Sequence, residues 1–151
     1  MTLASPERTP AFAGARRSFR FDLPNGATAP IIARAVVTDL MSLCGCAELV
    51  GDSRVLVSEL VTNVYRHTRT AVVRLDVAVN PDYVRVAVWD DAPRSRLLSL
   101  PVPAYGDSGR GLVLVESLAS RWGIYRPNTE SRSRKGVWFV LDREGRDGGV
   151  P

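Results

Sequence analysis

Two alternating runs joined by a three-residue turn constrain this chain more than any other feature. Ala71–Val79 puts Val73, Leu75, Val77 and Val79 on one side of an extended segment, and Tyr83–Trp89 repeats the pattern with Val84, Val86 and Val88. Between them stands Asn80-Pro81-Asp82, in which Pro81 presets its φ and the two short polar side chains bond back to the backbone. β-Branched residues at a period of two read as an antiparallel hairpin with one buried face. Any fold for this chain is therefore built around a sheet.

The flanking segments supply the rest of that sheet and its cover. Arg17–Leu23 alternates through Phe19, Phe21 and Leu23 and predicts a first strand, stopped by Pro24-Asn25-Gly26. Thr28 as cap and Pro30 in the first turn open a helix to about Leu43–Cys46, with Ile31, Ala35, Val36, Leu40 and Leu43 expected on its buried side. Gly45 and Gly51 bracket its end. A second helix runs from a cap at Asp52 or Ser53 to about His67, burying Val57, Leu60, Val61 and Val64.

From Asp90 to Ser108 the periodicity fails, and a loop that long in a small domain is functional or counts against the assignment. Gly109–Ser120 then reads as a helix with Leu112, Val115, Leu118 and Ala119 inward. Trp122–Tyr125 and Val137–Leu141 read as strands around the polar turn Pro127–Lys135. Residues 1–16 and 143–151 are expected to be flexible tails on a body at 17–142. The order predicts an α/β fold: a two-layer sandwich whose mostly antiparallel mixed sheet of about five strands is covered on one face by three helices.

Length and composition narrow the function. With 151 residues, 45% of them apolar, the chain fits one domain with a real core. Its apolar stretches are too short to span a membrane, and Met1–Arg17 carries Glu7 and no apolar core of a leader, so a cytoplasmic location is expected. The net charge of +4 comes from scattered arginines; nineteen of the twenty basic residues are Arg and only Lys135 is Lys. Clustering is confined to Arg132, Arg134 and Lys135, which ranks a nucleic-acid-binding module third among the readings. Cys44 and Cys46 sit two apart and His67 is the one histidine, so neither a disulfide nor a zinc site is expected.

Three segments carry candidate chemistry. On the second helix Glu59, Asn63 and the pair Arg66/His67 share one stripe. It is either a solvated face or a carboxylate one turn from an amide oxygen, able to hold a hard cation beside a positioned nucleophile. Gly106-Asp-Ser-Gly109-Arg110-Gly111-Leu112 lies at a helix start; it is either a capped turn or a cradle of free N–H groups for phosphate. The strand end Trp89-Asp90-Asp91-Ala92-Pro93 is either turn chemistry or a carboxylate placed to accept from an exocyclic amine.

Taken in order, these segments resemble the Bergerat-type ATP-binding fold of gyrase and histidine-kinase catalytic domains, and most closely its anti-sigma-factor serine/threonine kinase branch, common in actinobacteria. Ser58-Glu59-Leu60-Val61-Thr62-Asn63 with Arg66-His67 is similar to that branch's N-box. Gly109-Arg110-Gly111-Leu112-Val113-Leu114-Val115, then Leu118-Ala119-Ser120-Arg121-Trp122-Gly123, is similar to its second glycine box and following strand, and Val137-Trp138-Phe139 to its closing strand. The resemblance spans about Phe19–Leu141.

The resemblance implies a histidine-kinase-like ATP-binding domain with ATP and Mg²⁺ as ligands. Asn63 would ligate the metal and Glu59 would be the general base toward a serine hydroxyl. Asp90 would accept from the adenine amine, and Gly109, Arg110, Gly111 and Leu112 would bind the phosphates. Arg66, His67 and Lys135 are weaker candidates near the site. The implied partners are an anti-anti-sigma (STAS-type) protein, a sigma factor, or both, with a homodimer suggested by relatives and no direct contact with nucleic acid or membrane. No phosphoacceptor-histidine helix precedes the domain, so a complete sensor histidine kinase is not expected. Two departures bear on affinity: Asp91-Ala92-Pro93 stiffens the start of the lid, and Gly136 stands where the family often has a Thr that helps hold adenine. The leading expectation is an ATP-dependent kinase regulating transcription; the alternative is a non-catalytic protein-binding switch of the same fold with weak or no nucleotide binding.

Overall fold

The computed structural model of the chain describes residues 17–90, 110–125 and 135–143. Five strands form one sheet: β1 (Arg17–Pro24), β2 (Val72–Val79), β3 (Tyr83–Asp90), β4 (Arg121–Tyr125) and β5 (Lys135–Asp142). Their order is β1-β2-β3-β5-β4, and every neighbouring pair is antiparallel. The predicted hairpin is β2–β3, with Val77 opposite Val86, and its turn closes through Asn80 N–H donating to the Tyr83 carbonyl at 2.9 Å. Among the described residues three α-helices, α1 (Ala29–Leu43), α2 (Val50–His67) and α3 (Arg110–Leu118), join the sheet in an α/β architecture. None of them is long and apolar enough to cross a membrane.

The helix-facing core takes alternate residues of each strand. Val73, Leu75, Val77, Val84, Val86, Val88, Val137 and Phe139 pack against Leu56, Val57, Leu60, Val61 and Val64 of α2 and Val115 of α3. Burial of that many aliphatic side chains, at ~25 cal/mol per Å² of apolar surface, is the main force holding helices to sheet. The opposite face carries a second layer: Ala87, Trp89, Tyr125, Trp138 and Val140 are buried there. Guanidinium groups lie over its rings, Arg85 5.1 Å from the Trp138 centroid and Arg121 5.6 Å from that of Tyr83.

The buried side of α1 differs from the expected one. Ala29, Ala33, Val37 and Met41 face the core, whereas Ile31 is 57% and Leu43 79% exposed, Ala35 is exposed, and Val36 and Leu40 are half-buried. This helix is apolar nearly all round, so periodicity alone does not choose its face. Ala29 and Ala33 on the i, i+4 row let the backbone lie close against α2, and packing chooses that row. Its end is a Schellman motif: Gly45 adopts φ 75°, Cys46 N–H donates to the Met41 carbonyl at 2.7 Å, and Gly45 N–H donates to that of Ser42 at 3.3 Å.

The start of α2 also lies earlier than expected. A 3-10 turn, Ala47–Leu49, feeds straight into Val50, so Asp52 and Ser53 stand within the first turn rather than capping it. Asp52 there complements the helix dipole. Arg143, expected to begin a loose tail, is buried; its guanidinium donates to the carbonyls of Asn80 and Gly45, each at 3.0 Å. The expected tails at 1–16 and 144–151 and the loop at 91–109 lie outside the described residues.

Candidate functional site

On α2, Gly51, Val55, Glu59 and Asn63 are spaced by four and form one ridge along the helix. Asn63 is not on a solvated face: it is only 6% exposed, and its Nδ2 is fully buried with no hydrogen-bond partner among the described residues. Burying an amide unpaired costs about 1–3 kcal/mol, so a leucine would serve the core better. Such an orphan in a well-packed helix marks a group kept for something other than packing. Glu59, one turn away, is half-buried and makes no ion pair with any described residue.

Asp90 ends β3 on the helix-facing side, continuing the row of Val84, Val86 and Val88, and is almost fully buried. Opposite it in the register stands Lys135, whose Nζ lies 3.8 Å from the Asp90 Oδ2, both side chains being buried. Sequence reading placed Lys135 in a polar turn and ranked it low; it is instead the first residue of β5. Lysine is almost never buried without a partner. The signal was available, since this is the single Lys in a chain that otherwise uses Arg.

The expectation about Gly136 needs correction. Successive strand residues point to opposite faces, so a side chain at 136 would face Trp89 on the outer layer, away from Asp90. The glycine answers to aromatic packing, and the side chain that faces the carboxylate is Lys135.

Helix α3 begins at Arg110, so Arg110, Gly111 and Leu112 form its first turn, whose backbone N–H groups lack intrahelical partners. The side chains of these three residues, all of Gly109, and the Ala92-Pro93 departure lie outside the described set. The placement of the helix is informative. It packs against α2 and ends at Leu118, three residues before β4 starts at Arg121 opposite Val140. The short connection holds its C-terminal end beside the start of β4.

One end of the sheet thus collects the candidates. His67 closes α2 five residues before β2 begins, and Arg74 of β2 pairs with Trp89, next to Asp90. The C-terminal half of α2 with Glu59 and Asn63 and the end of β3 with Asp90 therefore share that end on the helix-covered side. Arg66 is exposed and His67 half-buried at the last turn of α2.

A purine nucleotide with Mg²⁺ suits this donor set. The Nδ2 of Asn63 is a buried donor without a partner among the described residues, which suits a phosphate oxygen, while a hard cation would be held by its Oδ1. Asp90 offers an acceptor in a dry setting, and the start of α3 offers N–H groups and a positive dipole end. No curated protein matches the chain. The family model for the histidine kinase-like ATPase domain matches residues 26–138, a span that holds β2, β3, β4 and the first half of β5 and takes in Glu59, Asn63, Asp90 and the start of α3, and the chain belongs to that family.

Proposed function

We propose that this protein is an ATP/Mg²⁺-binding regulator that engages a sigma factor or an STAS-type anti-anti-sigma protein and phosphorylates a serine of the latter. The observation that carries the proposal is the buried Asn63 Nδ2, without a partner among the described residues and one turn from Glu59, in a family of ATPase domains. Bound Mg²⁺, held by Asn63, would supply charge neutralisation at the phosphates. Asp90 would accept a hydrogen bond from the adenine amine, and the first turn of α3 would bind phosphate oxygens through its N–H groups. Glu59 would take the proton of the incoming serine hydroxyl.

A second reading, a protein-binding switch with weak nucleotide affinity, is favoured by one observation: the Asp90 carboxylate already has the Lys135 ammonium beside it. Incubation with γ-labelled ATP, Mg²⁺ and a candidate STAS-type protein decides between them. Label on a partner serine, lost in Glu59→Ala with ATP binding intact, supports the kinase; ATP binding with no labelled partner supports the switch.

A further inference from the structure

Asp90 and Lys135 stand opposite each other on neighbouring strands, and their side chains are only 1% and 6% exposed. The next pair inward on the same face is Val88 opposite Val137, both buried and apolar. An ionic acceptor and an ionic donor thus lie side by side at the border of a dry surface. Their contact is loose. Nζ lies 3.8 Å from Oδ2, whereas a charge-assisted hydrogen bond between such groups closes to about 2.7–2.9 Å. A lysine kept only to neutralise the carboxylate gains most by closing that gap. An ammonium carries several donors and a carboxylate several acceptor positions, so each keeps capacity for a ligand beside the partners it already has.

Resting on the reading of Asp90 as acceptor for the adenine amine, we propose that Lys135 is a specificity-determining residue that donates to adenine N1. The order of groups along the base decides the match. Read from position 6, adenine presents a donor and then an acceptor, the amine and then N1. An Asp beside a Lys offers the complementary order. Guanine read the same way presents acceptor, donor, donor, so no slide along its edge supplies a donor followed by an acceptor. Only turning the base over would do so, and that carries the ribose to the other side. A carboxylate alone does not discriminate, because it accepts from the adenine amine or from the guanine N1–H alike. With Lys135 beside it, guanine sets O6 against the carboxylate and N1–H against the ammonium, and both buried charges lose their ligand partners. A site made to hydrogen-bond one edge rejects a ligand that leaves its buried polar groups unpaired.

The test titrates the full chain, with Mg²⁺ present, by calorimetry against ATP, GTP and 1-deaza-ATP, in which a C–H replaces N1 and the amine is kept. ATP is expected to bind about tenfold or more tighter than 1-deaza-ATP, the worth of one hydrogen bond to a charged group. It should bind about a hundredfold or more tighter than GTP. In Lys135→Met the preference for ATP over 1-deaza-ATP should disappear; a lysine that serves only the fold would weaken both nucleotides alike and leave the preference in place. Should that variant not fold, Lys135→Met combined with Asp90→Asn removes both charges and gives the same readout. Equal affinity of the unaltered chain for ATP and 1-deaza-ATP, a preference that survives the loss of Lys135, or GTP bound as tightly as ATP overturns the inference and leaves ATP binding standing. Absence of any ATP binding removes the reading of the site itself, and this inference with it.

Discussion

Trp89 lies over Gly136: a Cβ placed on the glycine would stand 2.7 Å from Cε3 and Cζ3 of the indole. The ring cannot simply withdraw. Its Nε1 donates to Asp76 Oδ2 at 3.1 Å, Asp76 also accepts from Arg20 Nε at 2.8 Å, and the ring meets Tyr125 edge-on with centroids 5.4 Å apart. Gly136→Ala is therefore expected to cost about 1–3 kcal/mol, as overpacking does. Urea unfolding measures the loss, and combining the change with Trp89→Leu should recover part of it.

Lys135 and Asp90 should behave as a coupled pair. Breaking a buried ion pair from one side costs about 3–5 kcal/mol, whereas removing both charges costs less than the two single changes together. Lys135→Met and Asp90→Asn are each expected to lower the unfolding midpoint. The double variant should show a coupling of at least about 1 kcal/mol.

Asn63→Ala separates packing from binding. The unpaired amide is a burden on the free protein, so the variant should unfold at the same temperature or slightly higher. Calorimetric titration should at the same time lose the Mg²⁺-dependent part of ATP affinity. A stable variant with undiminished Mg²⁺ dependence would remove Asn63 from the metal site.

Arg143→Met should leave the carbonyls of Asn80 and Gly45 without their guanidinium donor and remove a cation 3.8 Å from Glu48. Two hydrogen bonds to a charged group set the expected loss at about 2–4 kcal/mol. Thermal unfolding should register it as a fall of about 2–4 °C per kcal/mol.

The β2–β3 hairpin and the buried side of α2 were legible in the sequence because one period dominates each segment and only one face is apolar. The buried side of α1 was not, since Ile31, Ile32, Val36, Val37 and Leu40 surround the helix and only tertiary packing selects Ala33 over Ile31. Glu59, Asn63 and Asp90 could be named from spacing and resemblance. That Asn63 is buried with its amide unpaired could not, because a stripe of polar residues looks the same whether water or another helix covers it. The meeting of Asp90 with Lys135 depends on strand register across a long separation, which local pattern does not encode. Gly136 was misread for the same reason, its neighbour Trp89 being on another strand.

The grip of Arg143 bears on how this sequence can drift over generations. Its acceptors are main-chain oxygens, so the residue at 80 can be exchanged without removing what the arginine holds. At the opposite pole Lys135 meets Asp90 through side chains alone in their ion pair, and a change in either calls for a matching change in the other. One pole tolerates exchange at position 80 while Gly45 is kept for its backbone, and the other evolves in step or fails.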